Sequence, residues 1–117
     1  MDRIDLLVEI LLDKTASIAE RDDAAIDLRG YNDDRALLAL IKIVTDEHEE
    51  QFIFDNCGES IATIWVKRDY FDTNLYKKMV PDAQYELYGY VQGSRPEWIE
   101  KYQIPPPDLH KLRRTPK

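Results

Sequence analysis

The chain is poor in the residues that most small-site chemistries need. Among its 117 residues there is one cysteine, Cys57, so no internal disulfide can form. There are two histidines, His48 and His110, and no H-x-x-H, C-x-x-C, H-E-x-x-H or Glu-x-x-His spacing, so no metal site is expected. Four glycines leave no Gly-rich loop to cradle a phosphate. No G-x-S-x-G turn presents a nucleophilic serine. The first apolar run is interrupted by Glu9 and ends at Asp13, too short and too charged to span a bilayer. The opening Met1-Asp2-Arg3-Ile4-Asp5 is acidic where a signal peptide would be basic, which predicts a cytoplasmic protein. No catalytic residue and no cofactor is expected, and the chain does not read as an enzyme.

Positive charge is scarce over most of the length. Residues 1–92 carry 20 acidic against 10 basic side chains, and residues 93–117 carry 3 against 6, within a net charge of -7. Phosphate affinity comes mainly from Lys and Arg, so an acidic body disfavours direct nucleic-acid binding. It favours a basic protein partner, because complementary potentials steer encounter. Acidity also serves solubility alone.

What is present is helical pattern. With 44% hydrophobic residues, 117 residues suffice for one domain that buries about two-thirds of its unfolded surface. Asp2 predicts an N-cap for a first helix over 3–13, with Ile4, Leu7, Val8 and Leu11 at helical spacing. Ser17 and Glu20 form a capping box before a second helix that runs to about Arg29. Gly30 suits a left-handed residue at its end. Asp33 caps a third helix over 34–44. A fourth runs over 49–67 with Phe54, Cys57, Gly58, Ile61, Ile64 and Trp65 inward, and Gly58 reads as a close-approach point. A short fifth helix spans 75–79, Pro81 opens a sixth to Val91, and Trp98, Ile99 and Tyr102 predict one closing turn. Residues 1–103 therefore read as the helical domain. Residues 104–117, with Pro105-Pro106-Pro107 and then a basic end, read as a flexible tail.

A shift of 33 residues lays Ile4, Leu7, Val8, Leu11 and Asp13 on Leu37, Leu40, Ile41, Val44 and Asp46. The same shift lays Ala25, Leu28 and Tyr31 on Gly58, Ile61 and Ile64. Such a period is the mark of stacked repeats. The phrase Asp23-Ala24-Ala25-Ile26-Asp27-Leu28-Arg29-Gly30-Tyr31, followed by Asp33-Asp34-Arg35-Ala36-Leu37, resembles the HEAT-type repeat, in the short bacterial version also found in phycobilin-lyase-like proteins. The resemblance implies an all-α fold, a short right-handed α-solenoid of about three antiparallel helix pairs. It also implies that the second helix of each pair lines the concave side.

Those second helices carry the candidate site. Asp23/Asp27, Asp55/Glu59 and Asp82/Glu86 are each i, i+4 acid pairs, and Asp22 stands beside the first. Like charges at that spacing repel by a few tenths of a kcal/mol. With Tyr85 and Tyr88 on the sixth helix they make the expected partner-binding set, Tyr being a frequent interface anchor. A solvated polar face is the plainer account of the acids, and core packing that of the aromatics. The phrase Asp55-Asn56-Cys57-Gly58-Glu59-Ser60-Ile61-Ala62-Thr63-Ile64-Trp65 is similar to small HEAT-like bacterial immunity proteins of toxin–immunity systems, including contact-dependent inhibition. That resemblance implies a cognate basic toxin domain, such as a nuclease, as partner. The alternative is a HEAT-like scaffold or assembly adaptor with no toxin partner.

Overall fold

The structure is a computed structural model and describes residues 1–113. The elements are α1 (Arg3–Leu12), α2 (Ile18–Leu28), α3 (Asp34–Val44), α4 (Gln51–Arg68), α5 (Thr73–Lys77), α6 (Pro81–Ser94) and α7 (Glu97–Lys101), then a single 3₁₀ turn at Leu109–Lys111. The fold is all-α, with no strand among the described residues. Helix starts follow the caps read in the sequence. The Asp2, Ser17 and Asp33 side chains accept from Asp5, Glu20 and Arg35 backbone N–H groups, and Asp72 likewise caps α5 by accepting from Leu75 N–H. Pro81 opens α6, where its missing N–H costs nothing.

Helix ends depart from expectation: α4 begins at Gln51 instead of residue 49, α5 spans 73–77 instead of 75–79, α6 runs on from Val91 to Ser94, and the close of α2 differs in kind. Gly30 is not left-handed; α2 runs out through right-handed turns, with Gly30 N–H donating to Asp27 O and Tyr31 N–H to Leu28 O. The left-handed residues are Asp69 (φ 53) and Gln103 (φ 50). After α4, Asp69 N–H donates to Val66 O and Tyr70 N–H to Trp65 O. After α7, Gln103 N–H donates to Glu100 O and Ile104 N–H to Ile99 O. Both are the six-residue Schellman closure that satisfies a helix's last carbonyls. Neither uses glycine, so glycine position alone did not mark them.

The longest helix, α4, is the hub and packs on α2, α3 and α6, while α1 packs on α2 and α3. Its contact with α6 depends on Gly58, where an added Cβ would stand 2.6 Å from the Ala83 carbonyl oxygen. Leu7, Leu11, Ala24, Ala25, Leu28, Leu40, Val44, Phe54, Ile61 and Leu87 fill the centre. Cys57 is fully buried there, and burial raises its thiol pKa, so it stays protonated and inert. A second cluster closes the far end. Phe71 stands 5.0 Å from Trp65 and 6.1 Å from Trp98 by ring centres, and Trp98 stands 5.5 Å from Tyr102 edge-on.

Packing continues across residue 103. Ile104 is buried, the Tyr76 hydroxyl donates to Pro105 O at 2.8 Å, and Arg113 N–H donates to Asp82 Oδ1 at 2.8 Å. Residues 104–113 thus lie along the helical body instead of leaving it. The expected basic end beyond Arg113 lies outside the described residues. Among the described residues no helix is long and apolar enough to cross a membrane.

Candidate functional site

Three helices set the candidate surface. α4 lies between α2 and α6 and touches both, so the second helices that carry the acid pairs stand side by side. Their acids do not share one environment. Asp23 and Asp27 on α2 are exposed, and Asp27 meets Arg3 at 3.3 Å. Asp22 is half-buried and turned to α4, where the Asn56 amide donates to both its oxygens at 3.0 Å. Asp55 and Glu59 on α4 are half-buried. Glu59 stands 3.5 Å from the Arg29 guanidinium, which also reaches Asn56 Oδ1 at 3.3 Å and Ser60 Oγ at 3.0 Å. The α2–α4 seam is therefore acidic with one arginine set into it.

The third pair is split. Glu86 is half-buried and faces outward with Tyr85 and Tyr88, but Asp82 is only 1% exposed. Asp82 was expected on the acid row and is not available there. Residues 104–113 fold back beside α6, and the Arg113 backbone covers the carboxylate. Its place in the first turn of α6 is favourable, since a helix N-terminus attracts negative charge. The Arg113 side chain continues over the Phe54 ring, 5.6 Å from its centre, and donates to Glu49 O at 3.4 Å and to Glu47 O.

Glu59, Tyr85, Glu86 and Tyr88 come together at one hollow of about 410 Å³ between α4, α6 and the proline segment. Asp23, Asp27 and Asp22 do not reach it and stand on the α2 side of the face. Searched against protein-family models, curated proteins and solved structures, the chain matches none.

Sequence reasoning missed the most deeply buried ion pair among the described residues. Arg21 and Glu49 form a buried pair, with Arg21 Nη1 and Nη2 donating to the two Glu49 oxygens at 2.9 and 2.8 Å. Arg21 Nε donates to Leu11 O at 2.9 Å, so the guanidinium is held on both edges. The bond to Arg21 lowers the Glu49 pKa, and the reciprocal bond raises that of Arg21. A signal for Arg21 did exist. It lies three residues before Ala24 and seven before Leu28, on the buried stripe, and the 33-residue shift places it on Phe54. Nothing comparable marks Glu49, which sits in the turn ahead of α4. Among the described residues no group of three or more His, Cys, Asp or Glu is placed to hold a metal ion.

Proposed function

We propose that the chain is a protein-binding module that captures a basic protein on the face made by α2, α4 and α6. The more specific reading is an immunity protein that neutralises a basic, nuclease-type toxin domain. One observation carries it: α2, α4 and α6 are set side by side, and each keeps acids at least partly in solvent, Asp23 and Asp27 on α2, Asp55 and Glu59 on α4 and Glu86 on α6. The packing order supports the repeat reading as well. α1 lies beside α3 and α2 beside α4, as first and second helices do in a right-handed stack of HEAT-like pairs. α5 is too short to complete a third pair.

Such a face would meet a phosphate-binding surface by charge complementarity. Charges at its rim would raise association rate more than they slow dissociation. The test is association kinetics against the basic product of an adjacent gene, at two salt concentrations. Asp23→Lys with Glu59→Lys is expected to slow association at least about tenfold at low salt while leaving the fold intact. Tyr85→Ala is expected to speed dissociation instead. An association rate indifferent to salt and to charge reversal would remove the acidic face from the mechanism. The arginines already paired with these acids, Arg3 from α1 and Arg29 at the end of α2, favour a second reading, an adaptor for a less basic partner. That reading takes the lead if the adjacent product does not bind.

A further inference from the structure

The hollow on this face is walled by rings and carboxylates together. Tyr85, Tyr88 and Tyr90 stand around it with Glu59 and Glu86, and Pro106 closes one side. Gly89 also lines it, and a Cβ there would meet nothing within 4 Å, so the hollow has room at its helix wall. Its volume of about 410 Å³ falls in the range of ligand-holding clefts, roughly 300–1,000 Å³. Rings plus carboxylates are the chemistry that holds an organic cation. The carboxylate supplies charge, and the ring face attracts the cation through its quadrupole.

The chain already holds arginine in both ways, the ring contact standing at a separate hollow beside Asp46 and Glu47 and the carboxylate contact beside this one. Arg113 lies over the Phe54 ring at 5.6 Å and donates to backbone carbonyls. Arg29 lies between Asn56 and Glu59. Glu59 therefore borders both the arginine-bearing seam and the hollow. Tyr85 and Glu86 are engaged within the chain, so a ligand enters by exchange and not into idle groups.

We propose that this hollow takes one arginine side chain of the partner protein, its guanidinium stacked on a tyrosine ring and paired with a carboxylate. This rests on the acidic face being a protein-binding surface, and it names the residue type that the surface reads. Arginine is preferred to lysine because a planar guanidinium stacks and forks, whereas an ammonium is a compact, strongly hydrated point charge.

The experiment titrates the isotope-labelled full chain with hexa-arginine and with hexa-lysine peptides, following backbone amides by NMR. The expected result is saturable shifts at Gly89 and its neighbours on α6. The arginine peptide should bind about two- to fivefold tighter than lysine, the size of an exposed cation–π contact. Tyr88→Leu should erase that preference, and Glu59→Gln, at a more exposed position, should weaken both peptides. The unliganded amide spectrum of each variant reports whether it is folded. Shifts confined to α2 around Asp23 and Asp27 would overturn the arginine site while leaving the acidic face as a binding surface. Equal affinity for both peptides, unmoved by Tyr88→Leu, would overturn it in the same way. Absence of any shift would overturn it too, and the wider reading would then stand or fall on the basic-protein measurement alone.

Discussion

Arg21 and Glu49, 28 residues apart, clasp through two parallel bonds while their side chains keep only 2% and 4% of their surface in water. Removing Glu49 leaves the Arg21 charge buried without a carboxylate partner. Glu49→Ala is therefore expected to cost about 3–5 kcal/mol, measured by denaturant unfolding. Replacing both together, Arg21→Met with Glu49→Leu, should cost much less than Glu49→Ala. If the double variant is the worse of the two, the pair contributes real net stability.

The pair also predicts a pH response. The folded Glu49 carboxyl titrates below its ordinary value of 4.5. Its contribution is thus fully present above that value and is lost as pH falls through the lower folded pKa. Stability should decline on acidification below 4.5, and the decline should be shallower in Glu49→Gln. Parallel acid profiles for the two proteins would assign the acid response to other carboxylates.

Gly58 and Gly89 predict opposite outcomes for the same substitution. Alanine normally gains about 1 kcal/mol over glycine inside a helix. At Gly58 the new methyl would meet Ala83 backbone at 2.6 Å, so α4 and α6 must separate. A net loss of about 1–3 kcal/mol is expected there. At Gly89 nothing lies within 4 Å, and the melting temperature should rise. A rise at both sites would mean that the α4–α6 contact yields easily.

Asp69 holds a left-handed backbone at the end of α4. Glycine fits that conformation without strain, aspartate tolerates it, and a β-branched residue does not. The stability order expected from thermal melts is Gly at or above Asp, with Val lower by about 1–2 kcal/mol. Val equal to Asp would show that the closure rearranges.

Much of the architecture was legible because caps and apolar spacing are local. Asp2, Ser17, Asp33 and Pro81 each act within one helical turn, and each opens the helix that the sequence assigned to it. The role of Gly58 was legible for the same reason, as a small residue on a greasy stripe. Less of the candidate site was readable. Asp82 looks like one more surface acid until a segment 31 residues later lies over it. The Arg29–Glu59 and Asp22–Asn56 contacts cross from one helix to another, and helical period alone does not choose between such polar partners. The three prolines suggested a departing chain. Extended backbone can equally run along a helix, and Ile104, seated by the closure at Gln103, starts it doing so.

The contact from Arg113 to the carbonyls of Glu47 and Glu49 spans 66 and 64 residues. Among the described residues, the side-chain bonds within the first four helices and their turns reach at most the 38 residues from Lys67 to Arg29. In a chain synthesised from its N-terminus, the first four helices can therefore assemble before α6 exists. Gly58 then waits on an uncovered flank until α6 emerges, and Phe54 until Arg113 does. Residues 104–113 then act as a late clasp, adding Arg113 to an acidic turn that Arg21 and Lys14 already hold.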